Sequence, residues 1–193
     1  MTVVYALLWE VTAVLVIAPL AGVLLAARGF RGLRRALSAL ALLGGASLAA
    51  AVLIGGVPWQ TAVATHLTLG NAALALAVFG AWCGATFRDP LDAAACSVAA
   101  VLIATCGVFA LGSFSADLPT PVLNAALLAN PLVAVASAAN IDLLRFEFLY
   151  QISPIAHQRF DYPTWYAAAG CFAMVAMMAA AGVARARRFE GLR

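Results

Sequence analysis

The sequence predicts an all-α integral membrane protein, and three observations carry that prediction. Of its 193 residues, 65% are hydrophobic and only 10% are charged. The mean hydropathy of +1.01 lies far outside the range of water-soluble domains. Uncharged stretches of the length a bilayer crossing needs, about 20 residues as helix, recur from one end of the chain to the other. A single membrane domain over residues 1–193 follows.

Val3 to Ala27 is apolar except for Glu10, and Ala36 to Val57, Thr61 to Phe87, Ala93 to Phe114 and Thr164 to Ala184 carry no charge. Five transmembrane helices are expected there. The first is expected to be retained rather than cleaved, because no basic region precedes it and no small-residue cleavage pattern leads into a soluble body. A sixth stretch, Pro121 to Ile141 ("PVLNAALLANPLVAVASAANI"), is long enough to cross but holds Pro131 and the polar residues Asn124, Asn130, Ser137 and Asn140.

Arginine bias decides how that stretch is expected to run, because cytoplasmic loops retain basic residues. All eleven basic residues are arginine. If Pro121 to Ile141 crosses, they divide 7 to 4 across the membrane; if it dips in and returns, they divide 9 to 2, with Arg145 and Arg159 alone outside. A re-entrant exoplasmic hairpin with an outer cap, over about 115–163, is therefore expected. The N-terminus would lie outside and the C-terminus in the cytoplasm, in a bacterial-type inner (plasma) membrane. Aromatic residues agree: Tyr5, Trp9, Trp59, Tyr162, Trp165 and Tyr166 fall at outer ends, where interfacial belts form. Within the cap, Asp142 and Arg145 at helical spacing suggest a short interfacial helix, and Ser153-Pro154 and Tyr162-Pro163 are turn signals.

Few residues carry chemistry. Glu10 is the sole formal charge inside an expected span, roughly 10 Å deep at 1.5 Å per residue, and an intramembrane acid is a functional candidate by default. The alternative is that it snorkels outward or accepts a hydrogen bond from a neighbouring span. His66, with Thr65, Thr68 and the deeper Asn71 near it, can be a packing histidine or a ligand for haem or a quinone. Its one possible histidine partner is His157 in the outer loop. Cys83, Cys96, Cys106 and Cys171 show no CxxC spacing and read as small apolar packing residues, so no metal site and no disulfide framework is expected. Gly80 and Gly84 form a GxxxG in "GAWCG", and Gly44-Gly45 make the second span equally slim. Both read as helix-packing faces, within the bundle or between subunits. The methionines Met174, Met177 and Met178 read as adaptable packing residues of the last span.

The basic turn "RGFRGLRR", with Arg28, Arg31, Arg34 and Arg35, is a topogenic anchor against anionic headgroups or a docking element for a cytoplasmic partner. The second turn, with Arg88 and Asp89, would lie beside it, with Asp89 and Asp92 able to cap the fourth span. No lysine occurs, so the P-loop signature is excluded. With no nucleophile elbow and no acid pair, catalysis by this chain alone is not expected. No cofactor, metal or nucleic-acid partner is expected either.

The order of parts resembles the membrane subunit of a type-2 ABC exporter, the ABC-2 permease family. The residues that carry the resemblance are "APLAGVLLAARGFRGLRRAL" at the first basic turn, "NPLVAVASAAN" in the hairpin, the aromatic entry "YPTWY" and the basic tail "RARRFEGLR". It covers most of the chain by pattern. Permeases of that family usually have six spans with both termini cytoplasmic, and the five spans expected here correspond to that pattern without its first. The resemblance implies a permease subunit driven by a separate cytoplasmic P-loop ATPase and paired with a second permease subunit or other membrane chains. The ATPase would dock on Arg28, Arg31, Arg34, Arg35, Arg88 and Asp89, and the hairpin and cap, with Asn130, Pro131, Asp142, Arg145 and Glu147, would close an outer gate. The absence of charge in the second to fifth spans points to a hydrophobic or amphipathic substrate. A non-catalytic structural subunit of a larger membrane complex is the alternative, and a haem or quinone anchor using His66 a third.

Overall fold

The computed structural model describes residues 2–28, 30–110, 119–145, 147 and 160–190. They form α1 (Thr2–Arg28), α2 (Phe30–Leu53), α3 (Trp59–Thr86), α4 (Pro90–Ala110), α5 (Thr120–Ala129), α6 (Pro131–Ala138), a 3-10 turn (Leu143–Arg145) and α7 (Trp165–Glu190), with no strand among the described residues. Helix is the expected solution in lipid, because it satisfies every backbone N–H and C=O within one segment. Four helices (α1, α3, α4 and α7) are long and apolar enough to cross a bilayer. The α5–α6 pair passes the same test only as a unit bent by 85° at Asn130. α2, at 24 residues, is about 36 Å long, and its described apolar part is Leu42–Leu53.

The bundle is built on α1 and α3, whose backbones touch. A Cβ on Gly80 would stand 2.0 Å from the carbonyl oxygen of Pro19, and one on Gly22 would stand 1.9 Å from that of Ala77. Only glycine fits at either crossing. Further along, Gly84 faces Val23 and Ala26. The rising pairs 10 with 66, 19 with 80 and 26 with 84 mean that α1 and α3 run parallel. This GxxxG therefore does seat a neighbouring helix, and the neighbour is α1. Val11, Leu15 and Leu69 fill the seam nearer the start of both helices, joined by Val101 of α4 and Val135 of α6.

α7 also runs parallel to α3: Ala168 and Phe172 share a buried cluster with Ala72 and Ala75, and Gly182 lies against the Trp82 ring. α4 returns antiparallel, its first turn packing Ala93 beside Cys83 and Val23. Asp89 caps it, its Oδ1 accepting from the Leu91 N–H at 2.8 Å. α2 touches the bundle less closely. Leu42, Leu43, Leu53 and Ile54 on it and just past it are exposed, a surface that suits lipid. Its end is closed by a turn in which Gly56 takes a left-handed conformation at φ 63.

The bent pair enters and leaves at one end of the bundle. On the entry side, Asn124 bonds to Asp161 just before α7, its Nδ2 donating to Oδ2 at 3.3 Å and its Oδ1 accepting from the Asp161 N–H at 3.0 Å. On the exit side, Ser137 donates to the Pro163 carbonyl at 2.8 Å, and Asn140 Nδ2 reaches Thr61 Oγ1 at the start of α3 at 3.5 Å. Between these ties α6 is buried almost throughout: Val133, Ala134 and Val135 are fully covered by protein. This is the surrounding that broken backbone at membrane depth requires. Asn140, left-handed at φ 58, ends α6, and the Ile141 N–H closes back on Ala136 O at 2.8 Å.

Two expectations change in detail. The basic stretch is not a loop: α1 continues to Arg28 and α2 starts at Phe30, so Arg31, Arg34 and Arg35 sit on the first turns of a helix, as suits arginine and leucine with no proline among them. The second helix accordingly spans Phe30–Leu53 rather than 36–57. Among the described residues, Gly44 and Gly45 seat no helix of their own bundle, since a Cβ on either would meet nothing within 4 Å. In the cap, Leu143–Arg145 form a 3-10 turn and Glu147 is helical, while the rest of the stretch expected to hold an interfacial helix lies outside the described residues.

The α1–α3 contact yields a direct test. Gly80→Ala should lower the thermal stability of the detergent-solubilised protein, by about 1–3 kcal/mol of overpacking strain. Gly107→Ala, where a Cβ meets nothing within 4 Å, should leave it unchanged or slightly raised. Equal effects would mean that the two helices do not touch there.

Candidate functional site

Two cavities meet between α1, α2 and α3. One, of about 580 Å³, runs along the middle of these helices and is lined by apolar groups such as Ile17, Leu48 and Leu74 and by Gly44 and Gly45, apart from Glu10 and His66. The other, of about 600 Å³, lies towards the α2–α3 turn and the exit of α6, with Ser47, Thr65, Ala139 and Ile141 in its wall. Glu10 and His66 line both. The glycines of α2 leave the first cavity open where larger side chains would fill it.

At the junction, Ser47 Oγ stands 2.8 Å from Glu10 Oε2 and 3.1 Å from His66 Nε2. The carboxylate and the imidazole are themselves 3.9 Å apart. The other ring nitrogen, Nδ1, lies 2.8 Å from the carbonyl oxygen of Ala62 one turn earlier on α3. A carbonyl can only accept, so Nδ1 carries the proton. Their side chains are 12% (His66) and 27% (Glu10) exposed. Glu10 thus takes its hydrogen bond from a neighbouring span, as one sequence expectation had it. Both nitrogens of His66 are engaged, so ligation of a haem iron would first have to break the Ser47 contact. His157 lies outside the described residues.

Asn71 does not join this group: its Nδ2 donates to Leu67 O on its own helix at 2.8 Å. Thr65 and Thr68 likewise bond back to Thr61 O and Ala64 O. Ser47 is the member that sequence reasoning missed. It follows Gly-Gly-Ala and reads as a small packing residue, and its one available signal was a helical hydroxyl on the span facing Glu10.

The second polar centre is the break between α5 and α6. Asn130, 1% exposed, caps α6 by accepting from the Leu132 and Val133 N–H groups at 3.0 and 3.2 Å. Its Nδ2 donates to Thr105 O of α4 at 2.8 Å. Pro131 follows at the first helical position, where its missing N–H costs nothing. Outside it, Tyr162 OH donates to Asp142 and accepts from the Leu144 N–H at 3.1 Å, which fixes the cap over the hairpin. Asn130 and Pro131 are therefore buried, whereas Asp142 and Glu147 are exposed. The side chain of Arg145 lies outside the described residues.

The arginine positions gather at the opposite end: Arg28 ends α1, Arg31, Arg34 and Arg35 open α2, and Arg88, which is exposed, with Asp89 joins α3 to α4. The side chains of Arg28, Arg31, Arg34 and Arg35 lie outside the described residues. The cysteines are all free, Cys83 buried with the thiol of Cys96 beside it, Cys171 half-buried and Cys96 and Cys106 exposed. Among the described residues no three His, Cys, Asp or Glu side chains group as a metal site would require. Met174, Met177 and Met178 lie on the exposed face of α7 rather than in the bundle.

Fold and site together define a multi-pass, all-α membrane protein with a polar junction between its first three helices. Compared with known proteins, the chain matches no family model, no curated protein and no solved structure.

Asn130 makes a specific stability claim. Asn130→Ala removes the α6 cap and the Nδ2 hydrogen bond that ties it to Thr105 O of α4, so it should cost roughly 2 kcal/mol. Asn124→Ala, at the exposed edge, should cost roughly 0.5 kcal/mol. Thermal unfolding of the two variants in the same detergent measures the difference, and equal losses would contradict the assignment.

Proposed function

We propose that the chain is a membrane permease subunit of the ABC-2 kind. It moves a hydrophobic or amphipathic substrate, with energy supplied by a separate cytoplasmic P-loop ATPase. The observation that carries this reading is the broken helix pair: α5–α6, bent by 85° and tied at both ends to one end of the bundle, stands between α4 and the last long helix. That is the order of parts in the family the sequence resembles. In this reading the pair and its cap form the outer gate, with Asn130 and Pro131 at the hinge and Asp142, Arg145 and Glu147 on the outer surface. The cavity of about 580 Å³ takes the apolar part of the substrate. The arginine end, with Arg28, Arg31, Arg34, Arg35, Arg88 and Asp89, faces the cytoplasm and meets the ATPase, which orients the N-terminus outward in a bacterial-type plasma membrane. A second permease subunit or another membrane chain completes the pathway.

A second reading, a non-catalytic structural subunit, is favoured by the backbone contact of α1 with α3, which leaves no path along that seam. The two separate in one experiment, native mass spectrometry of the gently solubilised complex with a visible absorption spectrum from the same sample. Stoichiometric co-purification of a P-loop ATPase is the expected result. A larger assembly without any nucleotide-binding subunit would replace the permease by the structural reading, and a haem absorption band would replace both.

A further inference from the structure

We infer that Glu10, Ser47 and His66 form a proton-binding and proton-transfer site, loaded from the cavity beside the α2–α3 turn. The hydrogens available to the three groups carry this assignment. Nδ1 of His66 must donate, because its partner is the Ala62 carbonyl. Ser47 Oγ has one hydrogen and two neighbours, Glu10 Oε2 and His66 Nε2. In one arrangement the imidazolium donates through Nε2 to Ser47, and Ser47 donates to the Glu10 carboxylate. In the other, the Glu10 carboxylic acid donates to Ser47, and Ser47 donates to the neutral Nε2.

Both arrangements contain the same hydrogens and make every contact. They differ by a paired shift: the N–H bond at Nε2 breaks as that proton joins Ser47 Oγ, while the Ser47 proton leaves for Glu10 Oε2. No electron is exchanged, and the net charge of the site is zero before and after. Neutrality matters at this depth, because an isolated charge in a low-dielectric surrounding is costly and a paired one much less so. Remove one proton from the site, leaving a carboxylate and a neutral ring, and Ser47 can serve only one neighbour. The other contact then sets two lone pairs against each other. The fully bonded state is the one with the shared proton.

The surroundings fit this role. Among the described residues, Glu10 and His66 are the only titratable groups in the wall of either cavity. The packed neighbours contribute Ser47 from α2, Thr65 and Thr61 from α3 and Asn140 after α6, all uncharged. A cavity of about 600 Å³ with several polar wall groups exceeds by far the room a water molecule needs to bring a proton in. The site does not depend on the permease reading, since a structural subunit would carry it equally.

The test uses the full chain in lipid nanodiscs. His157→Gln leaves His66 as the sole histidine, to be labelled with nitrogen-15, and the Glu10 carboxyl band is assigned by its loss in Glu10→Gln. As pH rises, the expected result is one step in which Nε2 and the Glu10 carboxyl both change while Nδ1 keeps its proton. In Ser47→Ala the step should split in two, separated by at least about one pH unit, because the groups no longer share one proton. Titration of the two groups at separate pH values with Ser47 present, or loss of the proton from Nδ1, would overturn the inference. The chain with Ser47 intact carries the test by itself if Ser47→Ala does not fold.

Discussion

The backbone contact between α1 and α3 is the constraint on which the rest of the molecule depends. Apolar side chains gain little by leaving lipid for protein, so helices in a membrane are held by close approach and by polar contacts. Gly22 and Gly80 allow that approach, each meeting a carbonyl of the opposite helix where any side chain would collide. With α1 and α3 joined, α4 and α7 have a two-helix surface to pack on. The interior that remains, at the Val11, Leu15 and Leu69 level, is what α6 enters.

The same contact explains why polar groups gather where they do. Glu10 lies on α1 about two and a half turns before the tight crossing begins at Pro19, on the side that α2 covers loosely. Gly44 and Gly45 fill no space there, so cavities remain on both sides of the carboxylate. An acid in that position must find a partner, and Ser47 and His66 provide it from two different helices. The hairpin meets the equivalent problem, a helix broken inside protein, with a single side chain. Asn130 satisfies two N–H groups of α6 and one carbonyl of α4, and the exposed surface needs only short ties to hold both ends.

Much of this architecture can be read from the amino acids, for stated physical reasons. Length and lack of charge mark the long helices, Pro131 and the flanking asparagines mark the break, and the arginine count puts both ends of the hairpin on one side. Glu10 and His66 stand out because ionisable groups are rare in such surroundings. Their junction does not, since it forms through a serine 37 residues from Glu10 in the chain, and helix rotation rather than spacing decides which hydroxyl faces inward. For the same reason Asn71 looks like a neighbour of His66 but bonds to its own helix. The two small-residue motifs look alike in sequence, yet Gly80 seats a helix and Gly44 borders a cavity. Only the placement of α2 separates them.

The central claim is that the α5–α6 pair returns to the side it entered, opposite the arginines. Single cysteines test it on a chain with Cys83, Cys96, Cys106 and Cys171 replaced: Thr120→Cys at the first residue of the pair, Thr164→Cys after it and Asp89→Cys at the arginine end, all exposed positions. With a membrane-impermeant thiol reagent on oriented vesicles, the first two should react from one face and the third from the other. Reaction of Thr120→Cys and Thr164→Cys from opposite faces would mean that the pair crosses the membrane, and the hairpin would be wrong.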